Sequence, residues 1–398
     1  MRVSYVVICV LLLLISKSIC AESSFDFRGY MGYEYRSFLH EPVLDTQQSS
    51  HVTLSLQPEF YYEWQQEQYS LLFTPFARFG GHDKERKHED IRSLYFQSVH
   101  DTWEVRVGID QVFWGVTESQ HLVDIINQTD LVEDPEGEIK LGQPMINLTA
   151  PRAWGTIDIF IMPYFRERTF PGEKGRLRTI PRVNTDKAQF ESSDEENHID
   201  YALRWSHSMD IWDVGLSYFK GTGRDPILQL DTTEEEAFLI PFYYQLTQLG
   251  LDLQATIEAW LLKLESVYRS EKRQDYTAST VGFEYTFYGI MQTDHDIGVL
   301  LEYLYDSRDD EADTPFENDV MLGMRWLAND VEGTEALIGL IIDTETDSKL
   351  FSLEASRRMT DHWKLNLIGR FYKDVNKDSL LSSFEQEDYW QISMRYYF

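Results

Sequence analysis

Cysteine occurs only twice in 398 residues, at Cys9 and Cys20. Removal of a leader ending at Cys20 would leave none, which excludes a disulfide framework and thiolate chemistry. Basic residues are scarce: 36 Lys and Arg face 67 Asp and Glu, for a net charge of −31. Nucleic acid is therefore not an expected partner, because phosphate binding needs basic surface. Long apolar runs are missing too. Val6 to Ile15 is a run of ten, whereas a membrane-spanning helix needs about 20 apolar residues. Any membrane crossing then falls to strands. There is no P-loop, no glycine-rich dinucleotide turn and no His/Cys metal cluster. The His–acid neighbours His82–Asp83, His121 with Asp124, and His295–Asp296 come without a serine in a nucleophile elbow. No enzymatic activity, cofactor or metal is expected.

What is present begins with a short basic n-region, Met1–Arg2, before the ten-residue apolar run. Small residues follow at Ser18-Ile19-Cys20 and Ile19-Cys20-Ala21, which predicts a signal peptide over 1–20, cleaved after 20 or 21. Ile19 is a poor neighbour for a lipidated cysteine. Residues 21–398 hold no linker or composition break and are expected to form one domain. Aromatic residues make up 14% of the chain, with 23 Tyr, 23 Phe and 10 Trp.

Period-2 alternation runs through that domain, placing alternate side chains on opposite faces of a strand. Val52, Leu54, Leu56, Phe60, Tyr62 and Trp64 share one face; His51, Thr53, Ser55, Gln57, Glu59 and Glu63 share the other. The pattern recurs from Phe25 to the last ten residues, where Trp390, Ile392, Met394, Tyr396 and Phe398 alternate with polar or amphipathic neighbours. Such repetition, with aromatic residues at strand ends, is the pattern of a transmembrane barrel whose alternate residues face lipid.

The closing segment, ending on an aromatic residue, resembles the C-terminal signal of Gram-negative outer-membrane β-barrels. That resemblance implies recognition of Trp390–Phe398 by the barrel assembly machinery and both termini on the periplasmic side. Counting upward from Phe25, long and short connections alternate: 38–50 long, 65–68 short, 80–90 long, 100–102 short, 115–142 long. A strict count then requires a downward strand before the long 166–197 segment, and Gln143 to Pro151 can supply it. The fold expected is all-β: a single antiparallel up-and-down transmembrane barrel of about 18 strands, with 16 also open. At that size the lumen is an aqueous channel unless loops plug it.

The third outer loop, 115–142, is acidic, with Glu118, Asp124, Asp130, Glu133, Asp134, Glu136 and Glu138 against Lys140. Leu122, Ile125, Ile126 and Thr129 fall at helical spacing, which predicts a short helix. In position and charge it resembles the third loop of general porins, which folds into the lumen. Glu118, Asp124 and Asp130 are then candidate acids of a constriction; the other reading is a solvated acidic lid. The next loop has opposite sign. Arg166, Arg168, Lys174, Arg176, Arg178, Arg182 and Lys187 outnumber Glu167, Glu173 and Asp186, and Arg166, Arg168, Arg176 and Arg178 are candidates for a basic pore wall. Facing the acidic loop, they would set a transverse field across a narrow passage. A basic outer loop touching lipopolysaccharide is the other reading.

Arg28, Arg36, Arg78, Arg106, Arg204, Arg269, Arg325, Arg370 and Arg395 occupy the polar phase together with acids, a pattern expected to brace the wall by ion pairs. Asp374, Asn376, Asp378, Leu380, Ser382 and Glu385 have EF-hand-like spacing, but Ser379 stands where that loop needs Gly, and strands flank it. The spacing carries no metal assignment.

Phe113-Trp114-Gly115, Phe165-Arg166-Glu167-Arg168-Thr169-Phe170-Pro171-Gly172 and Gly250-Leu251-Asp252-Leu253-Gln254 look like those of a porin-like group of proteobacterial outer-membrane proteins with no assigned substrate. The resemblance implies a fold and an outer-membrane location, with outer-membrane lipids and lipopolysaccharide as surroundings and, by analogy with porin-like barrels, a homotrimer; it implies no substrate. The expected function is a passive channel for small polar or charged solutes. The alternatives are a plugged structural or adhesive barrel and, third, an outer-membrane hydrolase.

Overall fold

The computed structural model describes residues 23–233, 236–377 and 380–398; the signal peptide expected over 1–20 lies outside them. In chain order the strands are β1 (Ser23–Phe38), β2 (Ser50–Trp64), β3 (Tyr69–Gly80), β4 (Glu89–His100), β5 (Trp103–Asp110), β6 (Gln143–Arg152), β7 (Gly155–Met162), β8 (Gln189–Phe190), β9 (Asp200–Met209), β10 (Trp212–Thr222) and β11 (Ile227–Asp231). They continue with β12 (Phe238–Tyr243), β13 (Gln245–Ile257), β14 (Trp260–Glu271), β15 (Asp275–Phe287), β16 (Asp296–Asp306), β17 (Asn318–Leu327), β18 (Glu335–Asp343), β19 (Lys349–Arg358), β20 (Trp363–Lys373) and β21 (Tyr389–Tyr397).

Eighteen of these form one sheet, each paired antiparallel with its neighbours. The exceptions, β8, β11 and β12, make a small sheet of their own where the fourth and fifth loops meet. That sheet lies in stretches expected only as loops. The strand inferred from parity exists as β6, paired with both β5 and β7.

The large sheet closes on itself through β1 and β21, with Tyr30 opposite Tyr397 and Phe38 opposite Tyr389. Gly29 and Phe398 exchange both backbone hydrogen bonds at 3.1 Å, and the Phe27 and Phe398 rings lie 5.2 Å apart. Closure leaves no unpaired edge, as a spanning sheet requires.

The pleat sorts the side chains. On β2, Val52, Leu54 and Leu56 are exposed outward while His51, Thr53 and Ser55 are buried inside. Outward Leu, Val, Ile and aromatic residues recur around the barrel and form a lipid-facing belt. Eight of the ten tryptophans (Trp64, Trp103, Trp154, Trp205, Trp212, Trp260, Trp326 and Trp363) sit in the short turns or in the strand halves beside them. Amphipathic indoles favour the membrane–water interface, so this end carries a distinct girdle. The opposite end carries the long loops, including the third (residues 111–142) and the fourth (163–199).

Candidate functional site: the third loop in the lumen

The inner wall is not uniformly polar. Met145, Phe160, Met162, Ala202, Phe219, Leu246, Val267 and Ala278 point inward and are buried, forming an apolar patch across β6, β7, β9, β10, β13, β14 and β15. Neighbouring Ile159 and Ile161 face lipid, so β7 is apolar on both faces near the loop end. Val123, Ile125 and Ile126 of the third loop, with Trp114, pack on this patch. Burying each such aliphatic side chain is worth about 1.5–3 kcal/mol. The loop is thereby drawn to one side of the lumen.

Carboxylates on the wall then capture its backbone. Glu265 Oε1 on β14 accepts from Val116 N (2.7 Å), Thr117 N (3.0 Å) and Thr117 Oγ1 (2.7 Å), and Oε2 accepts from Val123 N (3.2 Å). Glu302 on β16 accepts from Glu118 N and Ser119 N, both at 2.8 Å. These amides would have to bond within the segment to propagate a helix. The predicted short helix is therefore absent: residues 118–131 are irregular, with only isolated bridges from Thr129 to Lys140 and from Asp130 to Thr169.

The loop's own acids bind wall cations further round. Glu133 meets Arg78 of β3, Asp130 meets Arg92 of β4 (2.8 Å), Glu136 meets Arg370 of β20, and Glu118 meets Arg325 of β17 (2.6 Å). Arg224 of the fifth loop donates to Ile126 O at 3.0 and 3.2 Å. The buried pairs Arg78–Glu133 and Arg92–Asp130 add little net stability over an apolar core, but removing one partner strands the other, at about 3–5 kcal/mol. Ion pairs within the wall itself link Arg28–Glu59, Arg106–Asp110, Arg204–Asp252 and Arg325–Glu284.

Of the three candidate constriction acids, Glu118 borders open space. A cavity of about 360 Å³ remains beside the third loop, between it and the wall of β1–β3 and β17–β21. Glu34, Arg78, Glu118, Arg325, Glu354 and Arg395 supply its charged lining, with Lys364 and Glu335. Asp124 is buried 3.5 Å from Lys140, and burial outweighs that cation, raising its carboxyl to about 6. Asp130 is fully buried.

The basic candidates lie over the third loop and bind acids from several elements. Arg166 donates to Asp90 (2.9 Å) and Gly142 O (2.8 Å). Arg168 pairs with Asp225 and reaches Gln128 and Thr129 at 3.3 Å. Arg176 Nε donates to both carboxylate oxygens of Glu387 (2.8 and 3.1 Å), and Arg178 donates to Thr179 O (2.9 Å). None of the four lines the 360 Å³ cavity. The inward apolar patch is what sequence reading missed. Its signal was there, in Ile159-Phe160-Ile161-Met162, where alternation gives way to a continuous apolar run.

His121 is wedged in the loop, with Nε2 3.5 Å from Glu138 and Nδ1 3.8 Å from Glu265. Burial alone would lower its pKa; the two carboxylates outweigh burial and raise it to about 10. A raised folded-state value means that the ion pairs stabilise the docked loop fully below the unfolded value of about 6.5. That stabilisation should fade as pH rises through about 10. Open-channel noise is accordingly expected to grow between neutral pH and pH 10, and to lose this pH dependence in H121Q.

Among the described residues no three His, Cys, Asp or Glu are grouped to hold a metal. In the EF-hand-like stretch, Asp378 and Ser379 lie outside the described residues, and Asp374 pairs with Lys349. His295 packs edge-on to Trp326, and the His82 ring lies tilted 5.8 Å from His51.

No family model and no curated protein matches this sequence. Among solved structures, a BenF-like porin from Pseudomonas fluorescens superposes over 94% of this chain and 98% of its own, with a TM-score of 0.54 at 13% identity. The fold is that of an outer-membrane porin. An outer membrane protein of Vibrio cholerae, OmpT with a loop deleted, covers 94% of this chain and 99% of its own at 9% identity and a TM-score of 0.47. A variant of the Rh. blastica porin covers 94% and 100% at 12% identity and 0.45. With its lipid belt and tryptophan girdle, this porin-like barrel is a bacterial outer-membrane protein.

Proposed function

We propose that the barrel is a passive channel for small polar or charged solutes, with the third loop as a fixed constriction. The reading is supported above all by the charged cavity that remains where the loop, drawn to the apolar patch, leaves the opposite wall uncovered. Solutes would pass between Glu118 on the loop and the wall charges Glu34, Arg78, Arg325, Glu354 and Arg395. The mixed signs set a field across the path, which orients dipolar solutes. Arg166, Arg168, Arg176 and Arg178 would act at the mouth, holding the outer loops in place through Asp90, Asp225 and Glu387.

Ion selectivity tests this assignment. E118Q removes the loop carboxylate that faces Arg325, and the cation-to-anion permeability ratio should fall by about twofold or more. Neutralising Arg166, Arg168, Arg176 and Arg178 together should raise channel noise and change selectivity less. An unchanged ratio in E118Q, measured from reversal potentials in a salt gradient, would remove Glu118 from the path. The extensive ion pairing of the third loop favours one other reading, a plugged barrel, in which the wild type gives no conductance steps.

A further inference from the structure

A second, smaller cavity of about 30 Å³ lies under the outer loops, apart from the proposed solute path. Three outer loops and the first two strands converge on it. Arg36 and Phe38 of β1 and His51 and Thr53 of β2 form its floor; Gly81–Arg86, Leu131–Val132 and Pro171–Leu177 close it. Three guanidinium groups face it, from Arg36, Arg86 and Arg176, along with the His51 and His82 rings, 5.8 Å apart.

The cations are incompletely matched. Arg86 pairs through Nη1 with Glu34 (2.7 Å) and donates Nε to Val132 O (2.8 Å), but its buried Nη2 has no hydrogen-bond partner. Arg36 makes no ion pair among the described residues; it donates Nε to Gln391 Oε1 at 2.8 Å and lies 4.9 Å over the Tyr389 ring. Arg176 is matched: Nε donates to Glu387 and the two Nη groups donate to His40 O and Gln386 O. Glu34 and Glu387 lie outside the lining. Its single carboxylate, Asp83, already accepts Gly172 N at 3.0 and 3.1 Å and Glu85 N at 3.1 Å. A buried N–H with no protein acceptor, beside an arginine that makes no ion pair, calls for an acceptor.

We propose that this cavity is a binding site for a small inorganic anion of halide size, held by Arg36, Arg86 and His82. The volume suits a guest about the size of one or a few waters, which a halide matches. Charge-assisted bonds to guanidinium groups favour an anion over water. Because residues from the first strands and from the second, third and fourth loops all border the cavity, the anion clamps the loop cover to the barrel rim.

The test uses the full-length barrel in detergent micelles, with chloride replacing gluconate at constant ionic strength. The thermal unfolding midpoint should rise with chloride and saturate, since a ligand that binds only the folded state stabilises it by mass action. Arg36 has no carboxylate partner among the described residues, so R36Q breaks no ion pair; it should move half-saturation to about tenfold higher chloride or beyond. H82N is expected to act in the same direction and serves if R36Q does not fold. In bromide-soaked crystals an anomalous peak should sit within bonding distance of Arg86 Nη2. A chloride-independent midpoint in the wild type, wild-type chloride dependence in both variants, or water in place of bromide would each overturn the site.

Discussion

Deletion of residues 118–138 is expected to raise single-channel conductance several-fold. The segment carries the apolar residues Val123, Ile125 and Ile126 that fill one side of the lumen, and the acids Asp130, Glu133 and Glu136 that bridge to β4, β3 and β20. Its removal leaves the strands intact, because β5 pairs with β6 through their own backbones from Glu104–Thr149 to Asp110–Gln143. An 18-stranded barrel without an inward loop should conduct as an open aqueous pore. Planar-bilayer recordings decide it. Steps of wild-type size after deletion would place the limiting narrowing elsewhere, and silence in both proteins would identify a plugged barrel.

The second large effect should come from a single wall residue. Glu265 is fully buried and takes up four donors from the third loop, with His121 beside it. E265A leaves those donors without an acceptor in a site closed to water, and each orphaned buried donor costs about 1–3 kcal/mol. The loop can recover part of this by moving into solvent, so the net destabilisation should be about 3–5 kcal/mol. Urea unfolding in micelles measures it. The same variant should flicker between conductance levels and become cleavable by trypsin after Lys140, whose side chain is mostly covered in the docked loop, while the wild type should resist. Intact resistance to trypsin would show that the apolar patch alone holds the loop.

The two faces of the wall were not equally legible in the sequence. Outward alternation and connection length led to about 18 strands with 16 still open, and parity demanded β6 where local pattern was weak. The helix over 118–131 failed because spacing reports only what a segment could do alone, while Glu265 and Glu302, well over a hundred residues away, claim its amides. The basic candidates show the same limit. Arg176 finds Glu387 and Arg168 finds Asp225, pairings set by which loops the barrel brings to one rim rather than by spacing. Reading each strand for its outward face alone also hid Phe160 and Met162, whose inward direction marks where the loop docks.

The seam between β1 and β21 has a consequence in time. Residues 29 and 398 exchange hydrogen bonds across nearly the whole chain, so the barrel cannot close until its last strand has been delivered. Until then β1 presents one edge with no partner, a template for pairing with a foreign strand. Contacts of such sequence separation form slowly. The chain must therefore cross the periplasm with this edge still open, and its survival there depends on being escorted or on reaching the membrane before it meets another copy of itself.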